Sequence, residues 1–260
     1  MEPVLEIRDL TASYGGERVL SGVSLTVERG GVLCVAGESG SGKSTLLSAI
    51  CGNADLRIES GSVVFQGKEL TALPGAERRH LLGTEIGLIP QNPAGSFNPV
   101  RRLDAQFRET LNSHGIGYDP GKITDIFSSI GLAEPEKLLR SRPYELSGGM
   151  NQRIAIAFAM LLKPQLLLCD EVTSALDVTT AITVIDELQK LRRERNMTML
   201  FVTHHLGIAR EIADRIAVMY RGEIVETGPA EELLTAPSQE YTKKLLRDVP
   251  RMMEALTDGE

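Results

Sequence analysis

The stretch that decides the fold is Val32-Leu33-Cys34-Val35-Ala36-Gly37-Glu38-Ser39-Gly40-Ser41-Gly42-Lys43-Ser44. Its first part, Val32–Ala36, is entirely apolar, which is typical of a strand buried on both faces of a parallel sheet. The residues from Gly37 to Ser44 fit the pattern G-x-x-x-x-G-K-[ST], and Lys43–Cys51 has helical spacing. The stretch therefore predicts a strand, a glycine-rich loop and a helix.

The glycine-rich loop is suited to holding phosphate, because its glycines let backbone N–H groups turn inward around phosphate oxygens. The Lys43 ammonium is expected to reach the β- and γ-phosphates of a nucleotide, and the Ser44 hydroxyl to ligate Mg²⁺. A glycine-rich turn can match the pattern by chance, but the flanking strand and helix favour nucleotide binding. The predicted binding set is Gly37, Ser39, Gly40, Ser41, Gly42, Lys43, Ser44 and Thr45.

Composition excludes several other classes of protein. The chain has 260 residues, a net charge of −7 and a pI near 5.3, which argues against a nucleic-acid-binding protein. Met1 to Glu6 carries no cationic segment followed by an apolar run, so no secretory signal is expected. The longest apolar run, Ile154–Leu162, is too short to span a bilayer. Three widely spaced cysteines in apolar stretches favour a reducing cytoplasm over a disulfide framework or zinc site.

The apolar pattern along the chain predicts the α/β fold class. Val4–Leu10 and Arg18–Val27 alternate apolar and polar residues, as half-buried antiparallel strands do, with a turn at Tyr14-Gly15-Gly16. Short continuous apolar runs indicate a mainly parallel sheet, and they occur at Ile86–Pro90, Leu166–Cys169 and Thr198–Val202. Between Asn92 and Leu162 the pattern predicts only helices, at Leu103–His114, Gly121–Ile130 and Ser147–Leu162.

Two adjacent carboxylates follow the apolar run Leu166–Cys169. Ligands of α/β proteins bind at the carboxyl ends of the strands, where Asp170 and Glu171 are placed. Asp170 can hold Mg²⁺ through its water shell, and Glu171 can orient and deprotonate an attacking water. Paired acids at a strand end are often only a solvated turn, but the phosphate-binding loop elsewhere in the chain favours the chemical role.

The segment Leu146-Ser147-Gly148-Gly149-Met150-Asn151-Gln152 precedes an apolar helix. Ser147 can be a simple N-cap; together with the Gly148 and Gly149 amides it can also form a second phosphate cradle. L-S-G-G before such a helix resembles the signature of the ABC ATPases. The resemblance implies a P-loop NTPase (RecA-like) core with an N-terminal antiparallel β subdomain and an inserted helical subdomain. In that family the signature closes on the ATP held by the opposite subunit.

Further motifs of the same family occur in the expected order from Val4 to Leu246. Gln91 resembles the Q-loop glutamine, which would contact Mg²⁺ and the lytic water, and Ser174-Ala175-Leu176-Asp177 resembles the D-loop at the dimer interface. His204 resembles the switch histidine, which would touch the γ-phosphate. Tyr14 resembles the aromatic residue that stacks on adenine. Alone, a Tyr or His is more often a core or surface residue.

Two residues depart from the family pattern. Val172 stands where a proline usually follows the catalytic glutamate, and His205 stands where an aspartate usually follows the switch histidine. Neither position supplies a phosphate ligand, so we expect activity to be retained. The implied organisation is a nucleotide-binding core at 1–91 and 163–229, a helical subdomain at 92–162 and a helical tail at 230–260.

A branch of the family is also indicated. Gln91-Asn92-Pro93 and Phe97-Asn98-Pro99, and Met150 after the two glycines, resemble the ATPases of peptide and nickel importers, as does the segment from Pro237 to Leu246. The chain lacks the additional C-terminal cysteines of many peptide importers. Its shortness and the segment Ser96-Phe97-Asn98-Pro99 resemble the nickel or metallophore uptake subunits. The resemblance implies an ATPase that binds ATP and Mg²⁺ at the cytoplasmic face of the cell membrane.

The implied partners are a second ABC ATPase subunit (itself or a paralogue), two transmembrane permease subunits and, indirectly, an extracytoplasmic solute-binding protein, with no nucleic acid. Two alternatives remain. An ABC-type ATPase of DNA repair or translation would usually carry a coiled-coil insertion or a second cassette, for which the length leaves no room. A nucleotide-binding regulator that does not hydrolyse ATP would not need Glu171 and His204.

Overall fold

The computed structural model describes residues 3–174, 176 and 178–247. Its strands are β1 Pro3–Tyr14, β2 Glu17–Glu28, β3 Val32–Ala36, β4 Leu56–Phe65, β5 Lys68–Glu69, β6 Ile86–Ile89, β7 Leu166–Asp170, β8 Thr198–Thr203, β9 Arg215–Tyr220 and β10 Glu223–Pro229. Its helices are α1 Lys43–Cys51, α2 Gly75–Thr84, α3 Leu103–Ser113, α4 Pro120–Ser129, α5 Pro135–Arg140, α6 Gly148–Ala159, α7 Val178–Arg195, α8 Leu206–Ile212, α9 Ala230–Thr235 and α10 Glu240–Arg247.

The larger of two sheets has the strand order β10-β9-β3-β8-β7-β6. All neighbouring pairs from β9 to β6 are parallel, and only β10 is antiparallel to its neighbour. The apolar runs at residues 32, 86, 166 and 198 therefore form adjacent buried strands, as the sequence predicts. Because β3 lies between β9 and β8, the loop that follows it emerges near the middle of the carboxyl edge of the sheet.

The smaller sheet is antiparallel, with the order β2-β1-β4-β5. β1 and β2 pair as predicted, and Tyr14 faces Glu17 across the Gly15-Gly16 turn. Both strands extend beyond the alternating segments from which they were predicted. β4 is the third long strand, and the sequence patterns did not identify it.

Side chains of the central strand alternate between two hydrophobic cores. Val32, Cys34 and Ala36 belong to a core shared with the helices of residues 103–159 and with α7. Leu33 and Val35 belong to a second core beneath the antiparallel sheet and α1. This alternation is the expected consequence of opposite side-chain directions along a strand. It explains why β3 is apolar at every position.

The helical segment between β6 and β7 packs through aromatic rings. Phe107 of α3 makes edge contacts with Phe127 of α4 at 5.5 Å and with Phe158 of α6 at 5.1 Å between ring centroids. The three predicted helices of this segment are present, and α5 is an additional short helix. The last of them, α6, ends at Ala159 rather than Leu162. Lys163 has a left-handed φ of 56° before Pro164, a residue that disfavours helix immediately before it.

The predicted helical tail consists of two short helices. α9 and α10 are separated near Pro237, since a proline cannot continue a preceding helix. Residues 248–260 of the predicted tail lie outside the described residues. Within the part of the chain that is described, every helix falls short of the length and apolarity needed to cross a membrane.

Candidate functional site

The glycine-rich loop connects β3 to α1 at the carboxyl edge of the parallel sheet. Gly42, the residue before α1, has a φ of 109°, a conformation that side-chain-bearing residues rarely adopt. Gly37 allows the loop to approach β9, because an added Cβ would overlap the Met219 carbonyl oxygen. The loop therefore delivers its backbone to the N-terminus of α1, the end of a helix that attracts anions.

Lys43 points back into the loop rather than outward. Its ammonium donates hydrogen bonds to the carbonyl oxygens of Gly37 at 2.8 Å and Glu38 at 2.9 Å. It lies 3.8 Å from Glu171 Oε1. Burial lowers the pKa of the Lys43 ammonium, and the carboxylates of Glu171 and Asp170 oppose that change. An ammonium at this position can form charge-assisted hydrogen bonds to a phosphate, for which the carbonyls and the Glu171 carboxylate compete.

Ser44 and Asp170 meet across the gap between α1 and β7. The Ser44 hydroxyl donates to Asp170 Oδ1 at 3.1 Å. Burial raises the pKa of the Asp170 carboxyl, and the hydrogen bond from Ser44 opposes that rise. A hydroxyl and a carboxylate are oxygen ligands of the kind that Mg²⁺ accepts, and Mg²⁺ commonly completes its shell with waters and substrate phosphates. The donor set therefore fits the predicted metal.

Glu171 is the point at which the predicted catalytic residues converge. Its Oε2 accepts a hydrogen bond from Gln91 Nε2 at 3.1 Å and lies 3.1 Å from His204 Nδ1. The His204 nitrogen is buried and makes no hydrogen bond of good geometry with the described residues, so the contact with Glu171 is one of proximity. The Glu171 side chain is only 10% exposed. Its φ of 46° turns the backbone sharply after β7.

A cavity of about 320 Å³ lies over the loop and opens toward these residues. Its lining, which includes Val19 as a residue that the sequence analysis did not single out, is Val19, Ser39, Gly40, Gly42, Lys43, Ser44, Thr45, Gln91 and Glu171. Val19 enters it from β2 and carries no motif by which sequence reasoning could have found it. The cavity joins the predicted phosphate-binding residues to Gln91 and Glu171, whereas Asp170 and His204 contact lining residues without lining the cavity themselves.

The residues of the predicted second cradle lie at the N-terminus of α6, away from the cavity. Ser147 is the N-cap of α6, and its side chain accepts a hydrogen bond from the Met150 N–H at 3.2 Å. Ser147 and Gly148 are exposed, and Gly149 is half-buried. None of the three lines the cavity over the phosphate-binding loop. The cavity and the Ser147–Gly149 segment are therefore separate regions of the chain, and the role of this segment as a cradle stays a prediction.

The predicted adenine-stacking residue, Tyr14, lies apart from the cavity, and the D-loop residue Asp177 lies outside the described residues. Tyr14 ends β1, is half-buried and packs partly on the second core, and it does not line the cavity that holds Lys43. The proposed roles of Tyr14 and Asp177 stay predictions.

Val172 and His205, the two departures from the family pattern, each pack against identified neighbours. Val172 is 2% exposed and packs in the first core, where its aliphatic side chain fills space. The His205 ring lies 4.0 Å from the His204 ring. Burial lowers the pKa of His205, and the neighbouring His204 lowers it further. A neutral His205 ring therefore packs beside His204 at neutral pH.

A family model described as ABC transporter matches residues 20–174, which is more than half of the chain. The chain belongs to the ABC transporter family. The oligopeptide transport ATP-binding protein OppD of Bacillus subtilis (strain 168) is 38% identical, over 96% of this chain and 72% of that protein. The dipeptide transport ATP-binding protein DppD of Escherichia coli (strain K12) is 36% identical, over 96% of this chain and 80% of that protein.

A solved structure of the same family has the same fold. It is the dimeric structure of a post-hydrolysis state of the ATP-binding cassette MJ0796 bound to ADP and Pi, with a TM-score of 0.76 and 27% identity. The match covers 87% of this chain and 98% of that chain. The predicted fold class and the predicted ABC-type ATPase are thereby confirmed. A non-transport ABC protein is not favoured by any of these relatives.

Proposed function

We propose that this ABC chain is the ATP-hydrolysing subunit of an importer for small peptides. Two observations support the proposal. Glu171 lies within 4 Å of Lys43, Gln91 and His204 in one buried site, and relatives at 36–38% identity carry the names of peptide transport proteins. The nickel and metallophore alternatives rest on sequence resemblance alone and stay predictions.

In the proposed site, the phosphate-binding loop holds the β- and γ-phosphates of ATP. Lys43 exchanges its bonds to the carbonyls of Gly37 and Glu38 for phosphate oxygens, which carry full negative charge and are better partners for an ammonium. Backbone N–H groups at the start of α1 complete the cradle. Tyr14 stacks on the adenine ring from the antiparallel sheet.

Hydrolysis is assigned to Glu171. Its Oε2, which Gln91 already contacts through a side-chain amide, orients a water molecule and accepts its proton. Gln91 fixes the rotamer of the carboxylate, and His204, which follows β8, approaches the same oxygen and bonds the γ-phosphate. Ser44, Asp170 and Gln91 would hold Mg²⁺, which supplies charge neutralisation at the phosphate oxygens.

A second subunit is part of the proposed site. Ser147, Gly148 and Gly149 lie outside the cavity of their own chain, so they are free to close on nucleotide held by a facing subunit, with Asp177 at the interface. The dimeric structure of MJ0796 with ADP and Pi supports this arrangement. The facing subunit is a second copy or a paralogue.

The proposed division of the chain follows from these roles. Residues 1–91 and 163–229 form the nucleotide-binding core, 92–162 the helical subdomain that carries the second cradle, and 230–260 the tail. The complete transporter contains two permease subunits, with this chain at the cytoplasmic face of the membrane and an extracytoplasmic solute-binding protein delivering the peptide.

The test is reconstitution in liposomes with the two permease subunits that co-purify with this chain and a solute-binding protein that docks on them. ATP hydrolysis and uptake of a labelled di- or oligopeptide are measured together, with a nickel–metallophore complex as the comparison solute. We expect peptide alone to stimulate hydrolysis and to be taken up. Stimulation by the metal complex and not by any peptide would refute the peptide assignment, and absence of ATP hydrolysis would refute the enzymatic assignment.

A further inference from the structure

Helix α10 lies against the outer side of the phosphate-binding loop. The Tyr241 hydroxyl accepts a hydrogen bond from the Glu38 backbone N–H at 3.2 Å. One turn later, Lys244 Nζ lies 3.5 Å from Glu38 Oε1. These contacts join the middle of the loop to a helix near the far end of the described chain.

The residue that Tyr241 holds is also one that orients Lys43. The Glu38 carbonyl accepts a hydrogen bond from Lys43 Nζ at 2.9 Å, and the adjacent Gly37 carbonyl accepts one at 2.8 Å. The loop segment 37–38 is therefore fixed from two directions, by the phenol outside and by the ammonium inside. Nearer the C-terminal end of the loop, the Gly222 N–H donates a hydrogen bond to the Ser41 carbonyl at 2.8 Å.

The position of the Tyr241 hydroxyl is itself well defined. Its ring packs on Tyr220, the last residue of β9, with 4.3 Å between centroids. Thr242 and Leu245 are the buried residues on the inner face of α10. Burial raises the pKa of the Tyr241 phenol, so the hydroxyl is neutral at physiological pH. A neutral group can restrain the loop without placing a negative charge beside incoming phosphates.

We propose that Tyr241 is a positioning residue for the phosphates of a nucleoside di- or triphosphate. It acts through the Glu38 peptide: the hydrogen bond holds the loop in its phosphate-accepting shape, so that less conformational freedom is lost when the ligand binds. This inference rests on the proposed role of the loop in binding ATP. Lys244 contributes little, because its side chain is 66% exposed and solvent screens the ion pair.

The decisive variant is Tyr241→Phe, which keeps the ring and its packing on Tyr220 and removes only the hydroxyl. The matched control is Tyr220→Phe, since the described residues give the Tyr220 hydroxyl no hydrogen-bond partner. Loss of one intramolecular hydrogen bond corresponds to a change of about threefold to tenfold in a binding constant. We expect that loss of affinity for both ATP and ADP in Tyr241→Phe, and a change below about twofold in Tyr220→Phe and Lys244→Ala.

Three further readouts separate positioning from general stability. Adenosine, which has no phosphate, should bind Tyr241→Phe as it binds wild type when followed by NMR titration. The KM for ATP should rise by the same factor as its Kd while kcat is retained, and the Glu38 amide should lose protection from hydrogen exchange. Equal ATP affinity in Tyr241→Phe and wild type, or an equal loss for ATP and adenosine, overturns the positioning role. Failure of wild type to bind ATP overturns the proposed function and this inference together.

Discussion

Replacement of Glu171 by glutamine tests the arrangement around the hydrolytic site. The variant keeps the size of the side chain and its ability to hydrogen-bond to Gln91, but the amide cannot accept a proton from water. The Glu171 side chain is only 10% exposed and is surrounded by Gln91, His204 and Lys43. No solvent-exposed carboxylate can therefore take over its role as the base. Removal of a general base costs about two to four orders of magnitude in rate, and we expect hydrolysis to fall by that factor.

Nucleotide binding should survive the same substitution. At 3.8 Å and an effective dielectric constant of about 20, the gross attraction between Lys43 and Glu171 is about 4 kcal/mol before desolvation is counted. Part of that attraction competes with phosphate for the ammonium. Glu171→Gln removes the competitor, so its affinity for ATP should equal or exceed that of wild type.

Three measurements are combined: phosphate release, equilibrium binding of ATP, and size-exclusion chromatography with excess ATP. The chromatography is run on the variant by itself and on its mixture with a paralogous ATPase. Slow hydrolysis with retained binding should make ATP-dependent dimers accumulate, and a further Ser147→Arg substitution should dissolve them by filling the second cradle. Glu223→Gln, on the exposed side of β10, is the control for loss of one carboxylate. A folded Glu171→Gln protein that hydrolyses ATP within tenfold of wild type, or stays monomeric with its correct partner, would refute the reasoning.

Three other substitutions probe the loop and the base-binding position. Lys43→Ala should weaken ATP binding by roughly 10- to 100-fold, since a charge-assisted bond is lost, and should abolish turnover; a folded variant with wild-type ATPase rates would contradict the loop assignment. Tyr14→Ala should raise the Kd for ATP by about one to two orders of magnitude through loss of stacking, and unchanged affinity would show a purely structural residue. Gly37→Ala should lower the free energy of unfolding in urea by about 1–3 kcal/mol, because the added methyl overlaps the Met219 carbonyl; an unchanged unfolding curve would show that the loop can move away.

The sequence was informative wherever function and fold depend on short local patterns. The loop, the strand before it and the carboxylates after β7 could all be predicted, because a buried parallel strand must be apolar throughout and a phosphate loop needs its glycines close together. The sequence patterns did not identify β4 because its alternation of apolar and polar residues is interrupted. Gly61 bends the strand where it crosses the carbonyls of Arg8 and Asp9, and the register shifts there.

Contacts between distant segments were beyond sequence reasoning. The tail was predicted to be helical, yet nothing in its pattern indicates that Tyr241 reaches the Glu38 amide. Val19 likewise carries no signal for its place in the cavity lining. In both cases the position depends on how β2, β9 and α10 pack, and single-chain periodicity does not encode that packing.

The central position of β3 also constrains how the polypeptide acquires its structure during synthesis. β3 pairs with β8 through Val32 and Met199, and with β9 through Leu33 and Arg215. At typical elongation rates, roughly 10 to 35 s separate the emergence of Leu33 and Arg215 from the ribosome. At least one edge of this apolar strand lacks its native neighbour throughout that interval, which exposes the nascent chain to aggregation. The strand that leads into the glycine-rich loop is therefore synthesised early and completed late.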